Sequence, residues 1–177
     1  FAVIDEGDSV GGFAEIDEAV PDGLEPGHIP AGIAVGRAFD RAVLDKLIGD
    51  IGDPNLKDYI KLTGYVPNTE LPAIYGLCTI FLYPSLRESF GIPMLEAMAC
   101  GVPVITSNTS SMPEVGGNAA LLIDPFKPEE ITTAIKRLLS DQDLRDRLIK
   151  AGFDNAARFS WKAMAENVLK LYHETTP

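Results

Sequence analysis

The chain has 177 residues, and 15 Lys and Arg against 26 Asp and Glu leave a formal net charge of −11. Hydrophobic residues make up 46% and charged residues 23%, which is enough apolar material for a packed core and excludes a disordered or collagen-like chain. The length suits one domain or one lobe of something larger, and the acidity argues against nucleic acid or an anionic membrane as a main partner.

In chain order, the first 36 residues come first as a distinct region. They contain eight acids (Asp5, Glu6, Asp8, Glu15, Asp17, Glu18, Asp22, Glu25) and no Lys or Arg, so they carry −8 of the −11 and the other 141 residues only −3. Ala2–Asp5 reads as a strand and Phe13–Val20 as a helix, and Pro21, Gly23, Pro26, Gly27 and Pro30 then mark a loop. Further strands are expected at Ala31–Gly36, Ile60–Gly64, Thr79–Pro84, Val102–Thr106 and Ala120–Ile123. Helical patterns fall at Phe39–Gly49, Asn68–Leu77, Ile92–Cys100, Lys127–Ser140, Asp143–Phe159 and Trp161–Glu174. Single helices between strands demand parallel crossovers. The expected fold class is therefore α/β, a three-layer α/β/α arrangement around a roughly six-stranded parallel sheet.

Two helix ends are legible. Gly101 stands where the helix from Ile92 needs a left-handed residue, with Pro103 soon after. Pro128, Glu129 and Glu130 suit a first turn, where acids favour the positive end of the helix dipole. The most apolar run, Leu71–Pro84, falls short of the roughly 20 residues that span a membrane. Cys78 and Cys100 have no metal or redox spacing and read as reduced thiols in a cytoplasmic-type protein. The chain opens on Phe1 without a basic leader, as expected for a piece excised from a longer protein.

The stretch richest in chemistry runs from Pro84 to Gly101. It leaves a strand, crosses a loop containing Glu88 and Gly91, and enters a helix. In a parallel sheet, ligands bind outside the carboxyl ends of the strands. Free N–H groups near Gly91 and Ile92 favour phosphate, and Gly91 allows close backbone approach. Pro93 contributes no donor. Glu96 is the one charged residue in an otherwise apolar helix, so it needs hydrogen-bond donors or water, and a ribose diol would supply two O–H groups. The helix rises about 7.5 Å from Gly91 to Glu96. Glu88 and Glu96 are thus placed to touch opposite ends of one extended ligand.

Several blocks then coincide: Thr63-Gly-Tyr-Val-Pro67, Tyr83-Pro-Ser85, Glu88-Ser-Phe-Gly-Ile-Pro-Met-Leu-Glu96 continuing to Ile105, Pro113-Glu114 and Phe159-Ser-Trp161. Together they resemble the C-terminal, donor-binding lobe of family 4 glycosyltransferases, a Rossmann-like lobe of the GT-B fold, over roughly residues 58–177. The resemblance implies a retaining transfer of a hexose from a nucleotide diphospho-sugar to an acceptor, with no metal and no cofactor. It implies that Glu88 acts at the donor sugar and that Ser89, Phe90, Gly91 and Ile92 hold sugar hydroxyls and phosphate. It further implies that Glu96 binds the ribose and that the turn at Gly64-Tyr65-Val66 lies against the base. The acceptor would bind a separate N-terminal lobe, absent from a chain of 177 residues.

One feature departs from the family pattern. An Arg and a Lys usually grip the diphosphate after the first strand, but here that loop reads Asp5-Glu-Gly-Asp-Ser-Val-Gly-Gly12. Arg37 and Arg87 adjoin strand ends and are candidate substitutes. The mismatch keeps open a non-catalytic nucleotide-binding or interaction module, and a sugar-nucleotide epimerase or phosphorylase shares the two-lobed plan. Asp141-Gln-Asp143 has a metal-like spacing but fits a helix cap better. His28 and His173 have no ligand-spaced partner. Tyr59, Tyr65, Tyr75 and Tyr83 read as packing residues, and Ser160 as the cap of a last helix anchored by Trp161.

Overall fold

The computed structural model describes residues 2–5, 33–36, 49–50 and 60–175. Six strands form one sheet: β1 (Ala2–Asp5), β2 (Ile33–Gly36), β3 (Lys61–Tyr65), β4 (Ile80–Tyr83), β5 (Val104–Ser107) and β6 (Ala120–Ile123). Every pairing is parallel, and the order across the sheet is β3-β1-β2-β4-β5-β6. Among the described residues, the helices with defined bounds are α1 (Leu71–Gly76), α2 (Ile92–Ala99), α3 (Met112–Gly116), α4 (Pro128–Ser140), α5 (Gln142–Ala156) and α6 (Trp161–Thr175).

The α/β class and the six parallel strands agree with the sequence reading. The expected helices Phe13–Val20 and Phe39–Gly49 fall on residues outside those described, apart from Gly49. So do the acidic loop beyond Asp5, Arg37 and His28. The strand expected at Ile60–Gly64 is set one residue later, at Lys61–Tyr65, so Gly64 and Tyr65 belong to the strand and not to the turn after it. Helix α3, five residues long, had no periodic signal because it is too short to complete two turns.

The two faces of the sheet bury two clusters, as side chains alternate along each strand. On β4, Phe81 and Tyr83 face the cluster of α1, α2 and α3, with Tyr75, Met94, Met98 and Met112. Ile80 and Leu82 face the other way, onto Ile105, Ala134, Leu138, Leu144 and Leu148. Burying each large apolar side chain stabilises the fold by about 1.5–3 kcal/mol. Helix α5 spans both layers. Its Leu144 and Leu148 lie in the second cluster, whereas Ala151 and Ala156 pack on the first. Gly152 lets it close on α2, since a β-carbon there would sit 3.3 Å from Met98 Cβ.

The punctuation behaves as read. Gly101 takes φ +74° after α2. Pro128 opens α4. Asp141 caps α5 by accepting from Leu144 N–H at 2.8 Å, and Ser160 caps α6 by accepting from Ala163 N–H at 3.0 Å. Cys78 and Cys100 are half-buried thiols not joined in a disulfide. No helix among the described residues is long and apolar enough to cross a membrane.

Candidate functional site

Because all strands run parallel, the loops after β4 and β5 leave the same edge of the sheet. They meet there and are joined by hydroxyl groups. Thr106 Oγ1 donates to Tyr83 O at 2.9 Å and Ser107 Oγ to Ser85 O at 2.6 Å. Thr109 Oγ1 lies 3.2 Å from Leu86 O. Both Thr106 and Ser107 are buried, so these bonds also satisfy polar groups that burial would otherwise penalise.

This stitched edge carries Glu88. Its Oε1 accepts from Tyr83 O–H at 2.8 Å and from Ser85 O–H at 2.9 Å. Two donors on one oxygen fix the carboxylate plane. The main chain of Glu88 is held as well. Ser110 Oγ accepts from Glu88 N–H at 3.2 Å and donates to Glu88 O at 2.6 Å. Ser111 Oγ lies 3.0 Å from Phe90 O.

Three residues on, Gly91 caps α2 with φ +104° and ψ +44°. Conformation requires glycine, and an added β-carbon would also lie 2.4 Å from Met112 Cε, the end of a flexible side chain that would have to shift. Met94 N–H at the start of α2 already donates to Gly91 O at 3.2 Å, so the amides of Gly91 and Ile92 are those that the helix start leaves to favour an anion. Pro93 occupies the first turn and supplies no donor there.

Glu96 lies one and a half turns along α2 and is half-buried. Tyr75 O–H donates to its Oε2 at 3.3 Å. Desolvation pushes the Glu96 carboxyl above its ordinary value, and the Tyr75 bond opposes that shift only in part. Burial, and then the negative Glu96 alongside, push the Cys100 thiol up to about 11. The two acids are further linked through aromatic rings. Tyr75 meets Phe81 edge-on at 5.2 Å between centroids, and Phe81 stacks with Tyr83 at 5.8 Å.

The structure therefore brings Glu88, Ser89, Phe90, Gly91 and Ile92 together in one corner with Glu96 on the helix it opens. Ser89 is exposed, Gly91 buried and Ile92 half-buried. The Val66 side chain is only 5% exposed and belongs to the core, so only its backbone remains to face a ligand. Arg87 is exposed on the same loop as Glu88. Phe90 packs edge-on against Phe159 at 5.5 Å. Beside that pair opens a groove of about 540 Å³, lined by Phe90, Ile92, Trp161 and Met164 among others, with Arg158 as its charged residue.

Two tyrosines read as packing residues do more than pack. Tyr75 and Tyr83 are buried at 1% and 5% exposure, yet each hydroxyl reaches one of the acids. The hydroxyl run from Ser107 to Ser111 was also missed. Its signal was present in composition, as four hydroxyl residues in five directly after a predicted strand.

Comparison with known proteins places this geometry. The family model for glycosyl transferases group 1 matches residues 33–155. O-antigen chain mannosyltransferase B of Escherichia coli is 41% identical over 114 residues, covering 64% of this chain and 30% of that protein. The structure of sucrose-phosphate synthase from Thermosynechococcus elongatus superposes with a TM-score of 0.67 at 28% identity, covering 80% of this chain and 37% of that one. The C-terminal domain of a glycosyl transferase group 1 family protein from Francisella tularensis gives 0.61 at 26% identity, covering 72% and 68%. The chain spans less than a third of the length of the curated relatives it matches. It belongs to the glycosyl transferases group 1 family, with the Rossmann-like fold of a GT-B C-terminal lobe.

Proposed function

We propose that this chain is the donor-binding lobe of a retaining glycosyltransferase that moves a hexose from a nucleotide diphospho-sugar to an acceptor. The observation that carries the reading is the corner at Gly91: a glycine-capped helix start with Glu88 fixed on one side and Glu96 on the other. The amides of Phe90, Gly91 and Ile92 hold phosphate and sugar hydroxyls, with Ser89 exposed beside them. Glu96 accepts from the ribose diol, and the backbone at Val66 lies toward the base. Glu88 is the catalytic residue. Its carboxylate stabilises positive charge on the sugar ring as the bond from C1 to the diphosphate breaks. The acceptor hydroxyl oxygen then bonds C1 and passes its proton to the diphosphate oxygen released from C1, and the nucleoside diphosphate departs. No metal or other cofactor enters this scheme.

The acceptor binds a further lobe that this chain does not contain, so the lobe alone binds donor without turnover. The name of the E. coli relative makes a mannosyl donor the first candidate. Calorimetric titration with GDP-mannose, UDP-glucose and ADP-glucose tests the reading. Saturable binding of one of them is expected, weakened about tenfold or more by Glu96→Ala, on the scale of lost charge-assisted hydrogen bonds. A folded sample that binds none of the three overturns it.

The acidic sequence Asp5-Glu-Gly-Asp8, where the family pattern has an Arg and a Lys, favours a second reading, an interaction module without catalysis, because acids in that place would repel a diphosphate. Lys placed at Gly11 or Gly12 separates the two. A marked gain in donor affinity supports the donor site. No change, together with no effect of Glu96→Ala, supports the module.

A further inference from the structure

The run of hydroxyls after β5 holds a residue whose backbone is out of the ordinary. Ser110 has φ +55°, the one positive φ among described residues other than glycine. For an L-residue that conformation is strained. Glycine would adopt it freely but would lack the hydroxyl. The left-handed turn is what aims that hydroxyl at Glu88, where it brackets the residue from both sides. It accepts from Glu88 N–H at 3.2 Å and donates to Glu88 O at 2.6 Å. Both bonds cross between the two loops and join residues 22 apart in sequence. They lie at the solvent edge of the sheet, outside the buried clusters.

We infer that Ser110 is a positioning residue for Glu88: its strained turn clamps the Glu88 peptide so that the carboxylate stands in fixed relation to the amides that open α2. The inference rests on the proposed role of Glu88 at the donor sugar. Ser110 touches no ligand in this account and acts through Glu88 alone. The bonds from Tyr83 and Ser85 set the carboxylate plane, and Ser110 sets the height of the backbone that carries it.

The test compares a nucleotide sugar with its bare nucleoside diphosphate, on the chain as it stands. GDP-mannose against GDP, and UDP-glucose against UDP, are titrated into wild type, Ser110→Gly, Ser110→Ala and Glu88→Gln. Ser110→Gly removes the clamp and the strain together, so its thermal midpoint stays near that of wild type. Its affinity for the nucleotide sugar is expected to fall about three- to tenfold, the scale of one or two lost hydrogen bonds, while its affinity for the diphosphate stays within about twofold. Ser110→Ala keeps the strain and shows the same selective loss with a lower midpoint.

Nucleotide-sugar binding by Ser110→Gly equal to wild type, or a parallel loss for both ligands, overturns the inference. If Glu88→Gln is without effect on the sugar contribution, or wild type binds neither sugar, the reading of Glu88 itself fails and the positioning role falls with it. If Glu88→Gln weakens sugar binding but Ser110→Gly does not, only the clamp is wrong.

Discussion

At the scale of single residues, the site is a set of groups whose ordinary behaviour is altered by what surrounds them. Glu96 is the clearest case, because burial disfavours its charged form and one phenol bond opposes that only partly. The folded protein therefore binds this proton more readily than the unfolded chain does. The resulting destabilisation is fully present above the raised folded value and is lost as pH falls through the ordinary value of 4.5. Glu96→Gln is expected to unfold at a higher temperature than wild type at neutral pH, with the difference shrinking to nothing in acid. Thermal melts across that range check it, and a constant offset would contradict the sign. On the proposed donor site the same variant would lose an ionised acceptor for the ribose and should bind donor more weakly, so stability and binding would move in opposite directions at one residue. Such a conflict is characteristic of a residue retained for its ligand rather than for its fold. The oddity of Glu96 was visible from sequence, as an acid among seven apolar neighbours. Its partner was not, since Tyr75 lies 21 positions away and only the fold brings its hydroxyl near.

At the scale of elements, helix α2 is a short helix with a demanding entrance. Gly91 must be left-handed and must leave room for Met112, which is fully buried. Gly91→Ala meets both obstacles and is expected to cost about 1–3 kcal/mol, read as a lower urea midpoint with unchanged slope. A loss below about half a kcal/mol would mean that α3 can yield. The elements themselves were largely legible. Strands β4, β5 and β6 are apolar runs bounded by Pro, Gly and Asn, and their register follows from packing on both faces. The caps at Asp141 and Ser160 follow local chemistry, which sequence reports directly. What sequence concealed was contact between loops. The hydroxyl bonds from Ser107, Thr109, Ser110 and Ser111 to the Glu88 loop span more than 20 positions and leave no local signal beyond composition. The burial of the Val66 side chain was hidden for a related reason: a residue just past a strand can turn toward core or solvent, and the packing around it decides which.

At the scale of the whole molecule, the sheet is packed between its two apolar clusters, and among the described residues the last helix adds no buried side chain to either. Helix α6 leaves Trp161, Met164, Leu169, Leu171 and Tyr172 between 43% and 66% exposed. With little burial to protect it, α6 is expected to exchange its amide hydrogens at least about tenfold faster than Met94–Met98 of α2. Hydrogen exchange read by mass spectrometry checks this, and equal protection would show that something covers the helix in solution. The packed part has its own consequence. Tyr75, Phe81 and Tyr83 form a continuous ring contact whose two outer hydroxyls end on Glu96 and Glu88. The interval between the acids is thus a caliper anchored in the core through ring widths and the pleat of β4, with the loop that carries Glu88 pinned to it by hydrogen bonds. A molecule that bridges both jaws must have the right reach. In the proposed donor site, one that is a phosphate too short would touch a single jaw, so length alone would become a criterion of selection before any chemical group is read.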